Sequence, residues 1–222
     1  MKKWNLLDSV QTENGKTMSF HEHDGKYVIR VNGMELMSTR QHESEEEIAR
    51  LVCRHLHGPE PKILIGGLGF GFTLRAALDA APTDAHLVVA EIESAVISWN
   101  YDPRFRLAAD VMGDERVQIV HSDVADVLSA EKHGFDGIIL DVDNGPEAFS
   151  RQQNQWLYEA RGLATIRRSL RAGGCVAFWS ANDSPAFSKL LKQSGYRLEV
   201  HKSRARPGSG STHTLFLAFS PD

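Results

Sequence analysis

Apolar and polar positions alternate in short runs over the first forty residues, which is the pattern of β-strands. The runs cover residues 18–20, 26–31 and 34–37, and the dipeptides Asp24-Gly25 and Asn32-Gly33 separate them. Asp-Gly and Asn-Gly are strong signals for tight hairpin turns, because both residue types tolerate positive φ angles. The N-terminal region is therefore predicted to form a small antiparallel β-meander.

A helix is predicted to follow the meander. The run Ser44-Glu45-Glu46-Glu47 has the Ser-x-x-Glu spacing of a capping box, and apolar residues recur at helical spacing at positions 48, 51, 52 and 56. The carboxylates would complement the helix dipole, although the same acidic run could form a rim that binds polycations. Gly58-Pro59 is expected to end the helix. Residues 1–58 are assigned to an N-terminal domain of β-meander plus helix, and residues 59–222 to a second domain.

Beyond residue 61, short apolar runs alternate with longer amphipathic stretches. Two last strand-like runs, 196–201 and 212–219, flank a Gly-Ser loop and predict a terminal antiparallel hairpin. Repeated strand–helix units predict an α/β fold with a doubly wound, mostly parallel, Rossmann-like sheet. Strands are expected at residues 62–65, 86–91, 116–120, 137–140 and 175–179. Helices are expected at residues 72–80, 124–131 and 152–170, and two more are expected to begin at residues 94 and 184.

Composition and charge limit the cellular locations and the binding partners that we expect for the chain. Of 222 residues, 41 % are hydrophobic, and the net charge of −4 gives no basic footprint for nucleic acid. No apolar run is long enough for a transmembrane helix, and the first ten residues lack the apolar core of a signal peptide. The two cysteines, Cys53 and Cys175, stand far apart, and no histidine pair has HExxH spacing, so no metal site is expected. We therefore expect a cytoplasmic protein that binds neither membrane nor nucleic acid.

The first strand–helix turn of the second domain is rich in glycine. It reads Ile65-Gly66-Gly67-Leu68-Gly69-Phe70-Gly71-Phe72. A dinucleotide fingerprint counted from Gly67 requires glycine at position 72, which is Phe72 here. The spacing G-x-G-x-G at Gly67, Gly69 and Gly71 is instead common in sites for sulfonium nucleosides. These three glycines are the candidate cofactor-binding residues of the turn, and a plain tight turn is the alternative.

The next three strand ends each carry a carboxylate. Glu91 could accept hydrogen bonds from ribose hydroxyls or be a solvated strand end. Asp123 could accept from an adenine amino group, cap the following helix, or do both. The fourth strand delivers Asp141 onto the run Val142-Asp143-Asn144-Gly145-Pro146. Because ligands bind at the carboxyl ends of parallel strands, this succession predicts a nucleoside site.

At these residues the chain resembles the spermidine synthase (polyamine aminopropyltransferase) family, from about Val31 to the C-terminus. The run Val89-Ala90-Glu91-Ile92-Glu93 is similar to the family's ribose-binding strand end, and residues 135–141 to the strand that carries its catalytic Asp. The resemblance implies a class I methyltransferase-like fold and S-adenosylmethionine, or its decarboxylated form, as donor substrate. It implies that Asp141 takes a proton from, or orients, an attacking amine. It also makes the β-meander a candidate homodimer contact.

Two positions depart from the family's pattern. Its motif G-G-G-D-G-G has an Asp where this chain has Phe70, and its motif D-x-x-D-P has a second Asp where this chain has Asn144, with Asp143 one residue earlier. Those family carboxylates are expected to hold ammonium groups, for which a phenyl ring offers only a weaker cation–π contact. Phe70, Asp143 and Asn144 are accordingly candidate substrate-binding residues.

The sequence thus predicts that residues 59–222 form a nucleoside-binding transferase domain. It would move an aminopropyl or methyl group to a small amine-like acceptor. The resemblance favours aminopropyl transfer, whereas Phe70 and Asn144 favour methyl transfer or an acceptor other than a diamine. A non-catalytic nucleoside-binding protein is a further alternative. The absence of glycine at position 72 disfavours an NAD-dependent oxidoreductase.

Overall fold

The computed structural model describes residues 4–12, 15–142, 152–206 and 208–221. Its first part is a four-stranded sheet of β1 (Asn5–Gln11), β2 (Thr17–His23), β3 (Lys26–Val31) and β4 (Met34–Ser38). The strands are antiparallel and neighbour one another in chain order, which confirms the predicted meander. Strand β1 was not anticipated, because nearly all its residues are exposed and no alternation of apolar and polar positions marks it.

Helix α1 (Glu43–Cys53) follows the small sheet and buries one apolar stripe. It begins directly after His42 and no side chain caps it, so the predicted capping box at Ser44 is wrong. It also ends before Gly58-Pro59, the pair that was expected to end it. Val52 packs against Gly137 of the second domain, where a Cβ on the glycine would lie 2.5 Å from Val52 Cγ1. The domain boundary at residue 58 stays a prediction.

The second part of the chain forms one seven-stranded sheet. Its strands are β5 (Lys62–Gly66), β6 (His86–Glu91), β7 (Val117–His121), β8 (Phe135–Leu140), β9 (Leu170–Ser180), β10 (Arg197–Arg206) and β11 (Ser209–Phe219). In space the order is β10-β11-β9-β8-β5-β6-β7. Strands β5 to β9 are parallel, and β11 lies antiparallel between β9 and β10. This confirms the doubly wound, mostly parallel sheet with its terminal hairpin.

Helices cover both faces of this sheet. They are α2 (Phe72–Ala80), α3 (Ser94–Tyr101), α4 (Ala109–Met112), α5 (Val124–Ala130), α6 (Ala160–Ser169) and α7 (Pro185–Gln193). The single helix predicted over residues 152–170 is wrong: a 3-10 helix (Gln152–Tyr158) precedes α6, and β9 already begins at Leu170. No helix in the described ranges is long and apolar enough to cross a membrane.

The large sheet separates two apolar cores. Alternate residues of a strand point to opposite faces, so Ile63 and Ile65 of β5 face one core and Leu64 faces the other. The small sheet contributes to the first core through Phe20, whose ring stacks on that of Trp99 with centroids 5.0 Å apart. The two sheets therefore pack on a common core beside the carboxyl ends of the parallel strands.

Candidate functional site

A cavity of about 750 Å³ lies where the small sheet meets the carboxyl ends of the parallel strands. One side comes from the glycine turn after β5 and from the residues that follow β6, β7 and β8. The opposite side comes from β4, and α1, β9 and β11 complete the wall. The location follows from the topology, because a doubly wound sheet opens a crevice where its strand order reverses.

The turn between β5 and α2 needs its glycines for two reasons. Gly67, Gly69 and Gly71 have φ angles of 90°, 53° and 78°, a region that favours glycine. A Cβ on Gly67 would lie 2.6 Å from the Asp141 carbonyl oxygen, and one on Gly71 would lie 2.4 Å from Ala108 Cβ. The turn thus lies close to its neighbours while Gly67 and Gly69 line the cavity. The part of these glycines in nucleoside binding stays a prediction.

Glu91, at the end of β6, is buried and holds the glycine turn in place. Its Oε2 accepts a hydrogen bond from the Leu68 N–H at 2.9 Å, and its Oε1 accepts one from the Glu93 N–H at 2.8 Å. With 8 % of its surface exposed, Glu91 is not a solvated strand end. A carboxylate offers about four acceptor positions, so each oxygen can accept more than one hydrogen bond. Its contact with a ribose stays a prediction.

Asp123 follows β7 and caps α5. Its side chain accepts a hydrogen bond from the Ala125 N–H at 2.8 Å, which confirms the capping role. Asp123 also lines the cavity. Its contact with an adenine amino group stays a prediction.

Asp141 lies directly after β8 and lines the same cavity. Its backbone N–H donates to the Gly66 carbonyl at 3.2 Å, which extends the pairing of β8 with β5 and fixes the position of the side chain. The carboxylate accepts a hydrogen bond from the Thr73 hydroxyl at 3.4 Å. Burial raises the pKa of Asp141 to about 6, against the opposing effect of the Thr73 hydrogen bond.

Glu45, in the first turn of α1, also faces this cavity. Its Oε2 is buried and has no hydrogen-bond partner among the described residues. Burial raises the pKa of Glu45 to about 9, with further contributions from the charges of Asp141 and Glu46. Glu45 is not among the predicted site residues, and in the sequence it counts only as a member of the acidic run. The available signal was its spacing, because Glu45 stands three and four residues before the buried Ile48 and Ala49.

The neighbouring glutamates of α1 have different surroundings. Glu46 pairs with Arg50, and His42 Nδ1 lies 2.7 Å from Glu46 Oε1. Glu47 lies 3.5 Å from Arg54 and 3.6 Å from Arg50. The acidic run therefore serves mainly as an ion-paired first turn, and Glu45 is the member that turns toward the cavity.

A hydrogen-bonded chain connects three elements at the cavity wall. The Trp179 indole N–H donates to Ser44 Oγ at 3.0 Å, and Ser44 Oγ lies 2.9 Å from His213 Nδ1. On the other side of the ring, His213 Nε2 lies 2.9 Å from Ser211 Oγ. Burial lowers the pKa of His213, which favours the neutral ring. The chain joins the start of α1 to β9 and β11.

The three predicted substrate-binding residues are placed differently. Phe70 lines the cavity but is buried, and its ring centroid lies 6.3 Å from that of Phe20. Asp143 and Asn144 lie outside the described residues. Within the described ranges, no three histidine, cysteine or acidic side chains are grouped so as to hold a metal ion.

The fold is similar to that of solved spermidine synthases. A spermidine synthase in complex with the transition state analogue AdoDATO has a TM-score of 0.77 and 19 % identity, over 97 % of this chain and 73 % of that one. Spermidine synthase from Thermotoga maritima has a TM-score of 0.73 and 17 % identity, over 97 % of this chain and 72 % of that one. A probable spermidine synthase from Corynebacterium glutamicum has a TM-score of 0.67 and 14 % identity, over 99 % of this chain and 81 % of that one.

These similarities establish a spermidine synthase-like fold of the class I methyltransferase type, with the small antiparallel sheet at its N-terminus. No protein-family model matches the sequence. The search of curated proteins also gave no match.

Proposed function

We propose that this protein is a transferase that takes an alkyl group from an S-adenosylmethionine-type nucleoside and passes it to the nitrogen of a small amine. The observation that carries the proposal is the position of Asp141, whose carboxyl lies in the same cavity as the glycine turn. A candidate base for the acceptor and a candidate cradle for the donor thus share one space. The similarity of the fold to spermidine synthases supports the same class of reaction.

The charges around the cavity suit cationic ligands. Carboxyl groups of Glu45, Glu91, Asp123 and Asp141 line it, whereas Lys16 is the only lysine or arginine among its described lining residues. The donor carries a sulfonium charge, and an alkyl amine is an ammonium ion in neutral water because its pKa is about 10. A cavity lined by carboxylates concentrates such cations and disfavours acidic acceptors.

The reaction requires two things of the protein, which are alignment of the two substrates and one proton transfer. The amine lone pair forms a bond to the carbon attached to sulfur, and the C–S electron pair returns to sulfur. The nucleoside then leaves as a neutral thioether that needs no general acid. Holding nucleophile, carbon and sulfur in line supplies most of the rate enhancement. The amine must first lose a proton, and the Asp141 carboxylate is the proposed acceptor of that proton.

Aminopropyl transfer is the first candidate for the group that moves, because the solved structures compared above are spermidine synthases, the family that the sequence resembles. Phe70 favours methyl transfer as the second candidate. Its buried ring, packed toward Phe20, provides no carboxylate for the amine of an aminopropyl group at that point of the cavity.

The two candidates leave different nucleosides behind. Loss of the aminopropyl group from decarboxylated S-adenosylmethionine gives 5′-methylthioadenosine, whereas loss of methyl from S-adenosylmethionine gives S-adenosylhomocysteine. Binding of each donor is measured by calorimetry, and each product by mass spectrometry after incubation with 1,4-diaminobutane and with monoamines. A preference of about tenfold, or 1.4 kcal/mol, for one donor together with its product identifies the group. Binding of neither donor contradicts the proposal.

Asp141→Asn tests the role of the proposed base. The substitution keeps the size and the Thr73 contact but removes a proton acceptor, so the rate should fall by about 10²–10⁴-fold while donor affinity stays within a few-fold. Asp126→Asn, on the exposed side of α5, is the matched control and should leave the rate unchanged. If Asp141→Asn transfers the group at the wild-type rate, the base is another residue.

A further inference from the structure

The cavity contains two carboxyl groups that lack a cationic partner among the described residues. Asp141 contacts the Thr73 hydroxyl, and Glu45 Oε2 is buried without a hydrogen-bond partner in the described part of the chain. A buried carboxylate left unpaired is unfavourable, and two such groups near each other do not both ionise at neutral pH. Two such groups that face one cavity are suited to share a proton or to bind a cation.

The other charged groups around Glu45 do not supply that partner. On α1 itself, Glu46 is bound to Arg50 and His42. On β11, the neutral ring of His213 is occupied by Ser44 and Ser211. Among the described residues of the cavity wall, the remaining titratable groups are four carboxyls and one amine: Glu35, Glu91, Glu93, Asp123 and Lys16.

We propose that Glu45 and Asp141 act as one unit, which holds a single proton in the empty site and exchanges it for the ammonium group of the acceptor. This inference rests on the proposed function only in taking the acceptor to be an amine. Its structural basis is that both carboxyls face one cavity and that no group in the described ranges bonds to the buried Glu45 Oε2. Glu45 would then contact the substrate and be a second catalytic residue beside Asp141.

The protons and charges of this cycle balance. The empty pair, with one proton, carries one negative charge. When the ammonium ion binds, the proton goes to solvent, and two carboxylates face one cation. The ammonium then passes a proton to Asp141, the free amine forms the C–N bond, and the C–S electron pair returns to sulfur. The product leaves as a secondary ammonium ion, and the pair keeps one proton, which is the empty state again.

The first experiment examines the empty site and does not depend on the function. Carbon-13 NMR of glutamate-labelled protein should show one Glu carboxyl that titrates several pH units above the others. That resonance should be absent in Glu45→Gln and present in Glu47→Gln, the matched control, because Glu47 is paired with Arg54 on the outer side of α1. If all Glu carboxyls titrate below about pH 6, the unit does not exist, whatever the acceptor is.

The second experiment counts protons when an amine binds. Calorimetric titration with 1,4-diaminobutane, in two buffers of different ionisation enthalpy near neutral pH, should show release of about one proton per site from the wild type. Glu45→Gln should release almost none, and Glu47→Gln should match the wild type. Binding without proton release from the wild type would overturn the exchange.

The failure of the exchange and the failure of the proposed function give different results. If the nucleoside donor binds but 1,4-diaminobutane and simple monoamines do not, the acceptor is not such an amine, and the exchange is overturned with that part of the function. The NMR result would then still report whether the two carboxyls share a proton. If amines bind and the proton count is near zero, the function stands and only the exchange is wrong.

Discussion

At the scale of single residues, the direction in which a glutamate side chain leaves the helix determines its surroundings. Glu45, Glu46 and Glu47 follow one another in the first turn of α1, yet Glu46 and Glu47 are held by arginines and Glu45 is directed into the cavity. Successive helical residues point about 100° apart, so one of three consecutive side chains can share the face of the buried stripe while the others meet solvent. The same chemistry therefore gives two acids in surface ion pairs and one acid that faces the cavity.

Replacing Glu45 by Gln should stabilise the protein more as the pH rises. Glu45 ordinarily ionises near 4.5, and in the folded protein its pKa is about 9. The folded state thus holds a proton that the unfolded state has lost, so the wild type loses stability as the pH rises through this interval, and Gln does not titrate. The free energy of unfolding should rise by about 1–3 kcal/mol at high pH. Urea unfolding between pH 4 and pH 9 measures it.

Glu47→Gln provides the control, because Glu47 takes part in exposed ion pairs that contribute little. Its free energy of unfolding should stay within about 0.5 kcal/mol of the wild type over the same pH range. A stability gain in Glu45→Gln that does not depend on pH would contradict the assignment of a buried titrating acid.

At the scale of elements, the start of α1 shows a tertiary hydrogen bond of Ser44 in place of the capping bond that the local sequence predicts. The spacing of Ser44 and Glu47 is that of a capping box, but α1 begins one residue before Ser44, at Glu43. The Ser44 hydroxyl instead accepts from Trp179 and contacts His213, and Ser44 is 1 % exposed. Leaving buried indole and imidazole nitrogens without a partner is more unfavourable than leaving a helix end to water, so the longer-range contacts prevail.

Ser44→Ala should lower the free energy of unfolding by about 1–3 kcal/mol, because it leaves the Trp179 N–H and one His213 nitrogen unsatisfied. Ser98→Ala is the matched control, since the Ser98 hydroxyl is exposed and bonds only to the backbone of its own helix. That change should stay within about 0.5 kcal/mol. Chemical unfolding of both variants compares them, and equal effects would mean that the chain at the cavity wall contributes nothing to stability.

At the scale of the whole molecule, the site exists because two sheets close on each other. The large sheet places the glycine turn, Glu91 and Asp141 at one edge, and β4 of the small sheet covers that edge from the other side. Phe20 joins the two parts, since its ring lies 5.0 Å from those of both Trp99 and Phe105. The small sheet is thus part of the cavity as well as part of the core. Its use as a homodimer contact, and a cytoplasmic location, stay predictions.

Phe20→Ala should destabilise the protein by about 3–5 kcal/mol, because it removes a fully buried ring from the shared core. Unfolding should remain a single transition, shifted as a whole, when followed by tryptophan fluorescence and by circular dichroism. Leu6→Ala is the control, since Leu6 is 60 % exposed and should shift nothing. Separate transitions for the two probes would indicate that the small sheet folds as an independent domain, as a boundary at residue 58 implies.

Short-range patterns were sufficient for most of the architecture. The Asp-Gly and Asn-Gly turns, the alternation of strand and helix, the glycine run after Ile65 and the acids at strand ends all express backbone geometry that a few neighbouring residues dictate. These patterns alone predicted the meander, the doubly wound sheet and the terminal hairpin. They also placed Gly67, Glu91, Asp123 and Asp141 around one edge of the sheet.

Only the tertiary structure decided which side chains of other segments meet at that edge. Glu45 faces the same cavity as Asp141 from a helix almost a hundred residues earlier in the chain. Ser44 contacts Trp179 and His213 on two later strands. Strand β1, exposed along nearly its whole length, is fixed by its ladder to β2 and not by any burial pattern of its own. Such contacts depend on how elements pack, and packing free energy is shared among many residues that no local motif contains.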